Sequence, residues 1–247
     1  MKEPYLLCVA VKTLRPFSMK EHWIPLAKFL IKYISREIGG VVISTHPPYK
    51  LVEYSMIYYL DEIIPPGRVF YADFLIKGTN LDEIFYDVFL KKFIEHYPYI
   101  IHLDEKTKEY VYRNTESGED GDLLLADWQY YTFKARIHVE PMSEYHILFK
   151  TPTRLSDSDN GLFPHPHIMF KDPNRTCDTS RIHVSVHQLK IVEWRDKETE
   201  FKGFVGRAKI ETNHPECMRT ISHVLETALR YNIGLHRKYG FGVIDLD

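Results

Sequence analysis

The chain has 247 residues, 44% of them hydrophobic and 27% charged, enough for one or two domains with their own cores and too apolar for global disorder. Lys and Arg number 32 against 34 Asp and Glu, a formal charge of −2, which excludes a polyanion binder whose whole surface is basic. Cys8, Cys177 and Cys217 are odd in number and widely spaced, so no disulfide framework or zinc ribbon is read from them. The apolar start, Tyr5 to Val11, is too short for a signal-peptide core, and no uncharged run approaches a membrane span. The expectation is a soluble, cytoplasmic protein with no membrane partner.

Residues 5–13 read as a buried strand. Ser18 and Glu21 have capping-box spacing, and Trp23, Leu26, Ala27, Leu30 and Ile34 follow a helical stripe. Pro25 conflicts with one straight helix from Ser18, so the helix either kinks there or begins there; Gly39-Gly40 ends it. Val41 to Ser44 is a short strand, and Thr45-His46-Pro47-Pro48-Tyr49-Lys50 a loop. Leu51–Leu60 pairs with Arg68–Lys77 across Pro65-Pro66-Gly67. Thr79 or Asn80 caps a second helix that stops before Pro98, and Tyr99–Leu103 follows as a strand. The result is βαββαβ, a ferredoxin-like unit.

Asp104 to Asp122 is acidic and polar, a linker or long hairpin, and it sets the expected domains at 1–122 and 123–247. In the second, Tyr130–Val139 and Tyr145–Lys150 are strands and 152–180 is irregular. Ile182–Trp194 pairs with Phe201–Glu211, Pro215–Tyr231 is a helix, and Phe241–Leu246 is the last strand. The fold class is α+β: two tandem ferredoxin-like, RRM-like domains, the second with a degenerate first helix and a C-terminal glycine-rich loop. Charge is uneven. The stretch 81–122 holds 11 acids and 5 bases, whereas Thr227–Val243 holds Arg230, Arg237 and Lys238 and no acid.

That basic stretch contains Gly234, Gly240 and Gly242 around His236-Arg237-Lys238. Glycines let a backbone approach a ligand closely and present its N–H groups, while Arg and Lys supply charge for phosphate; a solvated turn with Gly234 as helix C-cap is the plainer alternative. Together with Phe149-Lys150-Thr151-Pro152-Thr153-Arg154 and Lys202-Gly203-Phe204-Val205-Gly206, this loop makes residues 145–247 resemble the CRISPR repeat-processing endoribonucleases of the RAMP superfamily. The resemblance implies a metal-independent nuclease that needs no cofactor. It would cleave precursor CRISPR RNA by attack of the 2′-OH on the adjacent phosphate, leaving a 5′-OH and a 2′,3′-cyclic phosphate. It implies repeat RNA as partner, with effector-complex subunits and a second copy of the chain as further candidates. A non-cutting RNA-binding subunit of an effector complex is the alternative reading.

Such chemistry needs a base for the 2′-OH, an acid for the 5′-oxygen and positive charge at the phosphorane. Among 13 histidines, His22 stands near a helix start, where imidazole stays neutral, and His46 stands with Tyr49 and Lys50 within five residues. The sequence does not choose between them; Tyr33 is a reserve for the family's tyrosine. Gly234, His236, Arg237, Lys238, Gly240 and Gly242, with Arg154 and Arg207, are the expected RNA contacts. His183 and His187 share a strand face about 13 Å apart, too far for one ion, so no metal site is assigned.

Overall fold

The computed structural model describes residues 4–37, 39–78, 99–112, 121–132, 137–171, 176–197 and 199–247. The expected second helix, 79–98, lies outside them. The chain divides into two compact units, 1–134 with 194–201, and 135–193 with 202–247.

The first unit is built on a seven-stranded sheet. Its strands are β1 (Tyr5–Thr13), β3 (Val41–Val52), β4 (Ser55–Tyr58), β6 (Val69–Lys77), β7 (Tyr99–Leu103), β8 (Tyr110–Tyr112) and β9 (Leu123–Thr132), in the order β4-β3-β6-β1-β9-β7-β8. A small ribbon pairs β2 (Phe17–Ser18) with β5 (Ile63–Ile64). Helix α1 runs unbroken over Met19–Glu37 with Pro25 inside it, and the whole predicted stripe is fully buried. Leu26, Leu30 and Ile34 each contribute about 1.5–3 kcal/mol of burial, which outweighs the backbone hydrogen bond that Pro25 forgoes.

Four expectations change here. The fourth ferredoxin strand is β9, antiparallel to β1, and not Tyr99–Leu103, which pairs beyond it and turns back through β8. The division therefore falls after 134 rather than 122, because β9 is an inner strand of the first sheet. Nor is 45–50 a loop: β3 passes straight through it. His46 lies opposite Asp73 and Tyr49 opposite Tyr71, so three steps on β3 match two on β6. This is a β-bulge, and it accommodates Pro47-Pro48, which have no N–H to give to a ladder. Finally, Leu51–Val52 pairs with Ser55–Met56 in a tight hairpin, and β6 pairs with the earlier part of β3 and with β1.

The second unit holds β10 (Glu144–Thr153), β11 (His183–Arg195), β12 (Glu200–Glu211) and β13 (Ile244–Leu246), in the order β11-β12-β10-β13. Both sheets thus place second, third, first and fourth strands side by side, the ferredoxin-like order, once β4, β7 and β8 are set aside as additions. A short helix, α2 (Pro166–Met169), sits in the irregular segment, and α3 spans Pro215–Tyr231 as expected. Its buried face, Cys217, Ile221, Leu225 and Ala228, joins Ile147, Phe149, Phe204 and Ile210 in one core. Cys177 and Cys217 are joined in a disulfide with Cα atoms 4.8 Å apart, tying the irregular segment to α3 and leaving Cys8 free. Cysteine spacing alone gave no sign of that bond. Among the described residues no helix is long and apolar enough to cross a membrane.

Candidate active site and nucleic-acid interface

In the first unit the bulge decides which side chains meet. Without it, His46 and Tyr49 would point to opposite faces; with it, both share the face of Asp73 and Tyr71. Register then lines up His46, Asp73, Cys8 and Gln129 across four strands, and Tyr58, Tyr49 and Tyr71 in the next row. The opposite face carries Leu7, Val9, Val11, Phe70 and Phe74, all fully buried.

His46 Nδ1 lies 3.3 Å from the Tyr58 hydroxyl, and the Tyr58 ring stands edge-on to Tyr49 at 6.1 Å. Tyr58 is the residue that sequence reasoning missed; only its pairing opposite Tyr49 brings it to the histidine. Tyr49 itself is committed inward. Its hydroxyl and the Cys8 thiol lie beside Asp73, and burial first, then that carboxylate, push Tyr49 far above the usual phenol range and Cys8 to about 12. Lys50, one step beyond Tyr49, falls on the other face by the pleat; it reaches Glu62 at 3.2 Å and the Tyr59 ring at 5.1 Å. The three neighbours in sequence therefore do not form one site: His46 keeps Tyr58 as partner, Tyr49 is structural, and Lys50 is turned away.

Asp73 is 8% exposed, with Oδ1 buried and unpartnered, and burial raises its carboxyl above the ordinary 3.8. The folded state therefore binds this proton more tightly than the unfolded one. The stabilisation is complete below the unfolded value and is lost as pH rises through the raised folded one. Asp73→Asn is expected to equal the wild type in stability near pH 4 and to exceed it by about 1–3 kcal/mol at pH 8. Denaturant unfolding at both pH values checks this; a difference that does not change with pH would contradict it.

His22 is placed differently. It stands in the first turn of α1, and its Nδ1 accepts the Ser18 N–H at 3.0 Å, taking the role expected of Glu21. The neutral ring then carries its proton on Nε2 and has no lone pair left for a substrate hydroxyl. Burial lowers its pKa, and the cavity beside it is about 20 Å³, room for a water and no more.

In the second unit the two glycine-bearing motifs converge on the third, Phe149–Arg154, at the end of β10. The Gly242 N–H donates to the Pro152 carbonyl at 3.0 Å, Leu235 N–H to Arg154 at 2.7 Å, and Ile233 N–H to Gly242 at 2.9 Å. The buried Thr151 hydroxyl accepts from Val243 N–H at 2.9 Å. At Gly203 a Cβ would fall 2.6 Å from the Thr153 nitrogen. At Gly242, φ is +75° and a Cβ would fall 2.8 Å from the Ile233 carbonyl carbon. These two glycines thus serve close approach of the chain to itself. The C-cap of α3 is Asn232, at φ 59°, and not Gly234.

The fastened loop presents Arg237 and Lys238 on an exposed turn, following His236 in left-handed conformation. Burial first, and then nearby Arg154 and Lys238, lower the His236 pKa against the opposing pull of Asp157. Arg154 spends its guanidinium on the carbonyls of Ser156 and Asp157, at 3.1 and 2.8 Å, and Arg207 pairs with Asp247 at 3.5 Å. Among the expected RNA contacts, Arg207, Arg237 and Lys238 are exposed, and of these Arg237 and Lys238 lie on the glycine loop. Among the described residues no three His, Cys, Asp or Glu side chains converge on one point.

Residues 147–244 match the family described as CRISPR-associated endoribonuclease Cas6, a span that contains all three motifs. In solved structures the fold recurs in a Cas6 product complex, with a TM-score of 0.61 at 12% identity over 99% of this chain and 100% of that one. Thermus thermophilus Cas6 gives 0.52 at 12% identity over 100% and 99%, and another Cas6 product complex 0.53 at 13% over 98% and 99%. A search of curated protein sequences finds no match. The chain is thus similar to the Cas6 proteins in sequence over its second unit and in fold throughout.

Proposed function

We propose, for a chain with Cas6-family sequence in its second unit and the Cas6 fold over its length, that it is an endoribonuclease cutting precursor CRISPR RNA within its repeats. The observation that carries the reading is the family match across the basic glycine loop, whose backbone is fixed to β10 while Arg237 and Lys238 stay exposed. The proposed base is His46. With its Nδ1 proton donated to the Tyr58 oxygen, Nε2 offers a lone pair to the 2′-OH. The 2′-oxygen–phosphorus bond forms, the bond to the 5′-oxygen breaks, and that oxygen takes up a proton. No step requires a metal ion, and the 2′-OH itself separates RNA from DNA. Arg237 and Lys238 would hold backbone phosphates.

Repeat RNA incubated with the protein in EDTA tests this. Cleavage at one position is expected, and a single 2′-deoxy substitution there abolishes it. Tight binding with no cleavage would favour a non-cutting RNA-binding subunit. Cleavage that survives the 2′-deoxy change would overturn the chemistry.

A further inference from the structure

The first unit contains a second feature that repeat cleavage leaves unused. A cavity of about 810 Å³ lies among α1, the β7–β8 hairpin and the residues Asp196, Lys197 and Thr199, within the roughly 300–1,000 Å³ typical of ligand pockets. One wall is a basic ridge: Lys28, Lys32 and Arg36 recur every fourth residue and so share one helix face. Lys108 and Lys197 add charge from the other walls, against Glu37, Glu109 and Asp196. Lys28 pairs with Asp196, and Arg36 with Glu37 at 3.5 Å, so Lys32, Lys108 and Lys197 against Glu109 leave an excess of two positive charges. The remaining wall is aromatic. Its half-buried members are Tyr33 and Tyr112; Tyr112 stacks on the buried Tyr99 at 4.4 Å with planes 24° apart, and Tyr33 meets Tyr99 edge-on at 5.5 Å.

We propose that this cavity seats a single-stranded segment of the RNA, its bases against Tyr33 and Tyr112 and its phosphates along the lysines. The proposal rests on the RNA reading above and adds a site distinct from the His46 face and from the glycine loop. An aromatic wall selects unpaired bases, because paired bases are already stacked on one another, and it tolerates any sequence since every base has a π-face. A basic ridge alone would suit any polyanion; the tyrosine wall beside it is what favours single-stranded nucleic acid.

The test is binding of an unstructured oligouridine of about eight nucleotides that lacks repeat sequence, titrated across salt. It needs no cleavage, so it stays informative if the nuclease reading fails. Lys32→Glu/Lys197→Glu is expected to weaken binding at least tenfold and to flatten the salt dependence by about 1.4 in log–log slope, about 0.7 for each phosphate contact. Tyr112→Ala is expected to weaken it about tenfold to a hundredfold, while Tyr112→Phe, which keeps the ring, binds as the wild type does. The double lysine variant reaches the answer even if Tyr112→Ala disturbs β8. Wild-type affinity and salt slope in the lysine variant would overturn the proposal.

Discussion

Replacing His46 by Ala is expected to slow repeat-RNA cleavage by about 10²–10⁴-fold, the usual contribution of a positioned general base, with RNA affinity unchanged. The ring is half-buried on the partly exposed face of the sheet and meets the Tyr58 hydroxyl through Nδ1, and thermal unfolding of the variant checks that it folds. Tyr58→Phe removes the partner that fixes the imidazole and should give a smaller loss in rate. His22→Ala should do the reverse. It strips the acceptor from the Ser18 N–H at the start of α1, costing about 0.5–2 kcal/mol of stability, as loss of a cap does, and leaving the rate near wild type. Single-turnover cleavage beside thermal unfolding separates the cases. Loss of cleavage in the His22 variant with retention in the His46 variant would refute the assignment.

The second large effect is on stability. Gly242→Ala forces a side chain into a left-handed backbone position and against the Ile233 carbonyl. Strain and overlap together should destabilise the second unit by about 3–5 kcal/mol. RNA affinity should fall with it, because the hydrogen bonds to Pro152 and Ile233 that shape the loop go too. Lys238→Ala, on the exposed turn of the same loop, should leave stability within about 0.5 kcal/mol and lower the salt slope of binding by about 0.7. Denaturant unfolding and RNA titration measure the two quantities. A Gly242→Ala protein as stable as the wild type would show that the loop is not held as described.

Local signals carried much of the fold. Pro215 at the first helical position and an uninterrupted 3.6-residue stripe make α3 readable along its length, and the fully buried stripe of α1 outweighed Pro25. What sequence reasoning lost depended on pairing across distance. Tyr99–Leu103 and Leu123–Thr132 are both apolar and strand-like, and only the sheet determines which of them lies beside β1. Pro47-Pro48 pointed to a loop, because two missing N–H groups argue against a ladder; a bulge satisfies the same constraint within a strand.

The candidate site follows the same division. Proximity along the chain groups His46 with Tyr49 and Lys50, and the alternation of β3 together with its bulge sorts those three to different ends. Tyr58 joins His46 from twelve residues away, across a hairpin that sequence reasoning had drawn differently. Asp73 carried no local signal, since a single aspartate in an apolar strand shows its burial only once β1 and β3 flank it. Glycines in a basic loop suit close approach of a ligand, and in the structure Gly203 and Gly242 bring the chain against itself. The contact with Pro152 lies some ninety residues away in sequence, a separation no local pattern encodes.

The central claim, that the chain cuts RNA through the 2′-hydroxyl, is tested most directly by the ends of the products. With end-labelled repeat RNA in EDTA, the upstream fragment should end in a 2′,3′-cyclic phosphate and the downstream fragment should begin with a 5′-OH that polynucleotide kinase can label. A 5′-phosphate on the downstream fragment, with a free 3′-OH upstream, would mean that water or hydroxide attacked the phosphate, and would contradict the account.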